Sequence, residues 1–156
     1  MTALQISLDQ AAIAAKAADE KLGENIGVID VSNVIGITDI FVIVSADNER
    51  KVNAIVQEIE GDMTDAGFEP KRCEGVRENR WVLLDYGNIV VHVQRSPERD
   101  FYGLDRLYAD CPAIGVEGLP DYERPGAFAD GESVRSAQQI EDLPLAGDAP
   151  EDEDEL

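Results

Sequence analysis

A single α/β domain built around one mixed, roughly five-stranded sheet follows from three features of the sequence. Two apolar runs, Trp81–Leu84 and Ile89–Val93, flank Asp85-Tyr86-Gly87-Asn88. Ile40–Val44 is continuously apolar, as suits a strand covered on both faces. Two stretches of helical period carry apolar stripes that need a sheet to bury against. The first feature is the strongest. Trp, Val, Leu and Ile at this density, broken by a Gly- and Asn-containing tetrad, read as two strands and a tight turn. Gly87 can take the positive φ such a turn commonly demands, and Asn88 tolerates it. This hairpin is expected at the centre of the sheet.

In chain order, Ser7 with Gln10 three residues on has the pattern of a capping box. Leu8, Ala11, Ala12, Ala15, Ala18 and Leu22 then share one helical face, and Gly23 is a natural stop. The face is Ala-rich, so the helix should approach its neighbour closely. Strands are expected over 27–32 and 40–45, joined by a loop that contains Asp39. From Asn48 to Ala66 a helix returns, with Val52, Ile55, Val56, Ile59 and Met63 on one side. Asp47 or Asn48 can cap it, and Gly67 ends it. A weak strand over 68–72 and a polar loop over 73–80 lead into the hairpin. After it, Ser96-Pro97-Glu98-Arg99 looks like a helix start, and Phe101, Leu104, Leu107 and Tyr108 fit one face.

Past Cys111 the composition changes. Five of the seven prolines lie in 112–150, no apolar period persists, and the sequence runs into GDAPEDEDEL. Such a segment buries too little apolar surface to offset its ordering entropy. The division expected is a folded domain over 1–112 and a largely disordered acidic tail over 113–156. Within the tail, 133–143 could become a short helix on contact with a partner.

The chain has 13 Lys plus Arg against 33 Asp plus Glu, a net charge of −20. Residues 113–156 hold 13 acids but only Arg124 and Arg135. The folded part is acidic even without them, and such a surface repels phosphate. Nucleic acid is therefore not expected as the main contact, and a basic protein partner fits better. The apolar runs fall well short of the roughly 20 residues that cross a bilayer. The opening MTALQISLDQAA lacks a basic region before an apolar one, so a cytoplasmic protein is expected. Cys73 and Cys111 read as reduced thiols, and with His92 the sole histidine no usual zinc arrangement exists.

The residues offer little for catalysis. His92, inside VVHVQ, is the only imidazole that could serve a nucleophile. Neither G-x-x-x-x-G-K-[ST] nor G-x-G-x-x-G occurs. Asp30, Asp39 and Asp85 each stand beside an apolar strand and could hold magnesium for nucleotidyl transfer. They are not closely paired, and turn capping, Asx-turns or a salt bridge explain them as well. Trp81, Tyr86, Phe101, Tyr102 and Tyr108 instead suggest a docking patch, with Glu98, Asp100 and Asp105 nearby for a basic surface.

Several pieces in order then resemble one family: TDIFVIVS (38–45), NERKVNAI (48–55), Glu74-Gly75, WVLLDYGNIVVHV (81–93) and RDFYGLDRLYAD (99–110). Together they resemble the ribosomal silencing factor family, also called the Iojap family. The resemblance implies a five-stranded mixed sheet flanked by helices, a nucleotidyltransferase-like fold without its catalytic constellation, and no cofactor. It implies binding to the large ribosomal subunit through large-subunit ribosomal protein fourteen, at the face where the small subunit joins. Steric exclusion of that subunit would repress translation when nutrients run short. It also implies homodimers in isolation. The partner-binding residues it carries over are Glu74, Trp81, Asp85, Tyr86, His92, Tyr102, Leu104 and Asp105. Trp81, Tyr102 and Leu104 are the expected apolar anchors, and Glu74, Asp85 and Asp105 are expected to face basic side chains. Tyr108 stands where the family commonly has Trp, and the tail past about 113 has no counterpart in the family pattern. The alternatives are a metal-dependent nucleotidyltransferase-like enzyme and an acidic adaptor for another basic cytoplasmic protein.

Overall fold

A computed structural model of the chain describes residues 3–124. Its elements are α1 (Gln5–Glu20), β1 (Glu24–Asp30), β2 (Ile40–Ala46), α2 (Glu49–Asp65), β3 (Arg72–Glu74), β4 (Trp81–Asp85), β5 (Ile89–Arg95), α3 (Ser96–Tyr102) and α4 (Leu104–Leu107). The strands form one sheet in the order β1-β2-β5-β4-β3. Only β2 and β5 run parallel, paired from Ile40↔Ile89 to Ala46↔Arg95; the other neighbours are antiparallel. The hairpin thus contributes β5 to the centre, while β4 lies one place from the edge. Gly87 takes φ 85° in its turn.

The period of two along each strand divides the side chains between two layers. Val28, Val42, Val44, Val82, Leu84, Val91 and Val93 face α1 and α2. There Ala11, Ala14, Ala15 and Ala18 let α1 lie close, and Val52, Ile55, Val56, Ile59 and Met63 fill the space from α2. On the opposite face Ile29, Val31, Phe41, Ile43, Leu104 and Cys111 form a smaller core. α3, α4 and the chain after them cover only part of that face.

Several local expectations are corrected. Ser7 does not cap α1, which begins two residues earlier with no side-chain cap from Leu4. Asp39 serves that end from the loop before β2: its Oδ2 accepts from the Leu4 amide at 3.1 Å and the Ser7 hydroxyl at 2.7 Å. β1 starts at Glu24, with a register shift around Asn25 (φ 46°). The strand expected over 68–72 lies at Arg72–Glu74, after Pro70, which lacks the amide a ladder needs. The single helix expected after the hairpin breaks at Gly103 (φ 61°), where the left-handed backbone separates α3 from α4. Ser96 begins α3 rather than capping it, and its hydroxyl donates to the Ala46 carbonyl at 3.2 Å. α2 matches expectation: Asn48 Oδ1 accepts from the Lys51 amide at 2.8 Å.

The tail also differs over 113–124. The Asp30 amide donates to the Pro112 carbonyl at 2.9 Å, and the Ile114 amide to Val28 at 2.7 Å. This strap pairs with the outer edge of β1, and Ile114, Val116 and Leu119 pack on the helix-side core. Tyr122 lies against Gly27, where any Cβ would collide with its ring. Backbone pairing and a few apolar anchors hold a segment that has no periodic pattern. The helix anticipated over 133–143 lies outside the described residues.

Candidate functional site

The incompletely covered sheet face carries a continuous run of rings. Tyr108 meets Phe41 edge-on at 5.2 Å, and Phe41 meets His92 at 4.7 Å. Trp81 Nε1–H donates to His92 Nδ1 at 3.1 Å, and the Trp81 ring lies 4.7 Å from Tyr102, which touches Phe101. Strand alternation places Trp81 and His92 on the same face, diagonal across β4 and β5 with Leu83 opposite His92, while α3 brings Tyr102 over Trp81. Trp81 and Tyr102 remain half-exposed. Such aromatic pairs add about 0.5–1.5 kcal/mol beyond their burial and make rigid anchors.

Beside this run is a groove of about 380 Å³ over the N-terminal halves of β2 and β5. Phe41, Leu83, Val90 and His92 line it with Ile35 and Ile37, and Lys71, Arg72 and Asp85 are its charged residues. Ile37 is 90% exposed. His92 is buried, and burial lowers its pKa to about 4, so the ring is neutral near pH 7. With Nδ1 accepting from Trp81, the neutral ring carries its proton on Nε2. Nε2 and the Thr38 hydroxyl, another groove residue, find no hydrogen-bond partner among the described residues.

The face gathers Trp81, His92, Tyr102 and Asp85, with the exposed Glu74 on the edge strand beside it. It does not gather the others. Tyr86 points to the helix-side core, where burial and then Glu60 push its hydroxyl pKa well up. Leu104 is only 8% exposed and belongs to the smaller core. Asp105 is 2% exposed and holds Arg99 through two hydrogen bonds, at 2.9 and 3.0 Å, while Tyr122 donates to it at 2.6 Å. Burial alone would raise the Asp105 pKa; Arg99 and Tyr122 more than reverse it. Asp105 therefore meets an internal cation, correcting the expectation that it faces a partner. Sequence reasoning missed Phe41, Leu83, Val90, Lys71 and Arg72, because β4 and β5 are apolar on both faces and nothing local says which face lies open.

The three candidate metal carboxylates each have structural work. Asp30 Oδ1 accepts from the Ser32 amide and hydroxyl, at 3.0 and 2.6 Å. Asp39 serves α1, as above. Asp85 accepts from the Gly87 amide at 2.8 Å and pairs with Arg72 at 3.7 Å. These are turn, cap and ion-pair roles.

A family model described as "Ribosomal silencing factor during starvation" matches residues 5–141. The chain belongs to the ribosomal silencing factor family. It is 36% identical over 107 residues to the ribosomal silencing factor RsfS of Halalkalibacterium halodurans, covering 69% of this chain and 92% of that one. The Bacillus subtilis factor of the same name is 39% identical over 105 residues, 67% of this chain and 89% of its own. The maize protein Iojap, chloroplastic, is 31% identical over 100 residues, covering 64% of this chain and 43% of its own length. Among solved structures, a Chromobacterium violaceum protein superposes with a TM-score of 0.63 at 25% identity, over 77% of this chain and 94% of that one. One from Bacillus halodurans gives 0.59 at 34% identity, over 70% and 97%. The family match runs well past residue 113, which corrects the expectation that the tail has no counterpart in the family pattern.

Proposed function

We propose that this protein silences ribosomes by docking the open sheet face on large-subunit ribosomal protein fourteen and sterically excluding the small subunit. The observation that carries the reading is the half-exposed Trp81–Tyr102 pair at the rim of an apolar groove, in a chain of the silencing-factor family. Such a border of rigid aromatics around apolar surface suits a protein partner. Glu74 and Asp85 sit at the same rim, both paired with Arg72, and a basic side chain of the partner would exchange with that arginine. The surrounding acidic surface opposes RNA and confines contact to the protein patch. No bond is made or broken: occupancy of one face excludes the other subunit. The site of action would be the cytoplasm, and the occasion nutrient limitation.

Gradient sedimentation with separated ribosomal subunits tests this. Co-migration with the large subunit, and loss of joined ribosomes on adding the small subunit, is the expected result. Protein left at the top of the gradient at low and moderate salt, with joining unaffected, would overturn it.

A further inference from the structure

The groove asks for a ligand rich in hydrogen-bond acceptors. His92 Nε2–H and the Thr38 hydroxyl are buried donors with no acceptor among the described residues, and buried donors are rarely left so. Lys71 adds positive charge at the same place, while Arg72 beside it is paired with Glu74 at 3.2 Å and Asp85 at 3.7 Å. A basic protein brings mainly donors to such a rim. An acidic segment brings acceptors, and this chain contains one within reach.

The strap leads towards it. Arg124 closes the described chain by donating to the carbonyls of Tyr108, Ala109 and Cys111, and the Tyr108 ring rests on Phe41, a groove residue. Residues 125–156 follow, with a contour of about 100 Å when extended. They carry Ile140, Leu143 and Leu145, then Asp148 and the run Glu151-Asp152-Glu153-Asp154-Glu155, with Arg135 as their only base.

We infer that the acidic segment beyond Arg124 occupies the groove in cis, its carboxylates at Lys71 and its leucines over Phe41, Leu83 and Val90, and so competes with the partner for the open face. The competition rests on the docking reading above; the cis contact does not. Tethering presents the segment at about millimolar effective concentration. An intrinsic affinity of ~0.2 mM would then weaken partner binding about sixfold.

The full-length chain provides the test. Cys73 is exposed on the edge strand β3, its Sγ 3.8 Å from Glu60 on the α2 side, and Cys111 is buried, so a nitroxide can be placed on Cys73 within one strand of the groove. Amide signals from residues 140–156 are expected to broaden at low salt and to recover at about 1 M salt, where the Debye length is only about 3 Å. Lys71→Glu with Arg72→Glu should abolish the broadening. Unbroadened signals in the wild type, or broadening that survives both charge reversals, would overturn the inference. So would broadening seen only when labelled and isotope-enriched copies are mixed, which would mean a second copy's segment.

A second variant, with Asp148, Asp152 and Asp154 changed to Asn and Glu151, Glu153 and Glu155 changed to Gln, reads the competition. Its affinity for isolated large subunits should rise about sixfold. Unchanged affinity in a variant whose broadening is lost would overturn the competition. If neither chain binds the subunit while the wild type still broadens, the cis contact stands and the docking reading falls.

Discussion

His92 shows how one side chain's surroundings set a measurable property of the fold. Burial lowers its pKa from 6.5 to about 4, while the unfolded chain keeps an ordinary imidazole. Between those values the unfolded state binds the proton and the folded state does not, so stability falls as pH drops from about 6.5 to 4. The loss should approach about 3 kcal/mol. Urea midpoints measured at pH 7, 5.5 and 4.5 check it, and His92→Gln should flatten this part of the profile. Tyr102 and Asp105 separate in a different way. Tyr102→Ala should weaken large-subunit binding about tenfold, the cost of a modest hot spot, while leaving the fold nearly as stable. Asp105→Ala strands the buried Arg99 guanidinium and should cost about 3–5 kcal/mol of stability. Thermal melts beside binding assays distinguish the two. The family resemblance carries both over as partner-binding residues. Only the break at Gly103 shows that one serves the surface and the other the interior.

Helices and hairpin were legible because their signals are local. The stripe Val52, Ile55, Val56, Ile59 and Met63 contains the whole case for α2, and Trp81–Val93 the case for β4 and β5. Less local arrangements were not. The strap has no period because backbone pairing to β1, Tyr122 on Asp105 and Arg124 on three carbonyls secure it. Asp39, 35 positions from Leu4, completes the start of α1, which no search of the helix's own residues could reveal. Asp39→Ala should therefore destabilise the protein by about 1–2 kcal/mol and speed amide exchange in the first turn of α1. If millimolar magnesium raised the melting temperature of the wild type but not of this variant, Asp39 would be a metal ligand instead.

At the scale of the whole molecule, charge sets the salt dependence expected of the proposed docking. A protein that neutralised six to ten phosphates would lose about 10³–10⁵ in affinity between 50 and 200 mM salt. A net charge of −20 and contact through a protein patch predict a change of less than about tenfold over that range. A salt titration of large-subunit binding decides between them. The sheet class was legible from the order of elements, but strand order was not, since no local pattern states that β2 will lie beside β5. That pairing sets a timetable. β2 is buried from end to end, yet the neighbour on one side is made from Ile89–Arg95, long after β2 itself. A nascent chain must therefore carry a largely apolar strand with one open edge until the hairpin emerges, a hazard that favours chaperone capture or aggregation. Refolding should be correspondingly slow for the size of the domain, in milliseconds to seconds. In this member of the ribosomal silencing factor family, the centre of the sheet closes only late in the chain's own passage through a ribosome.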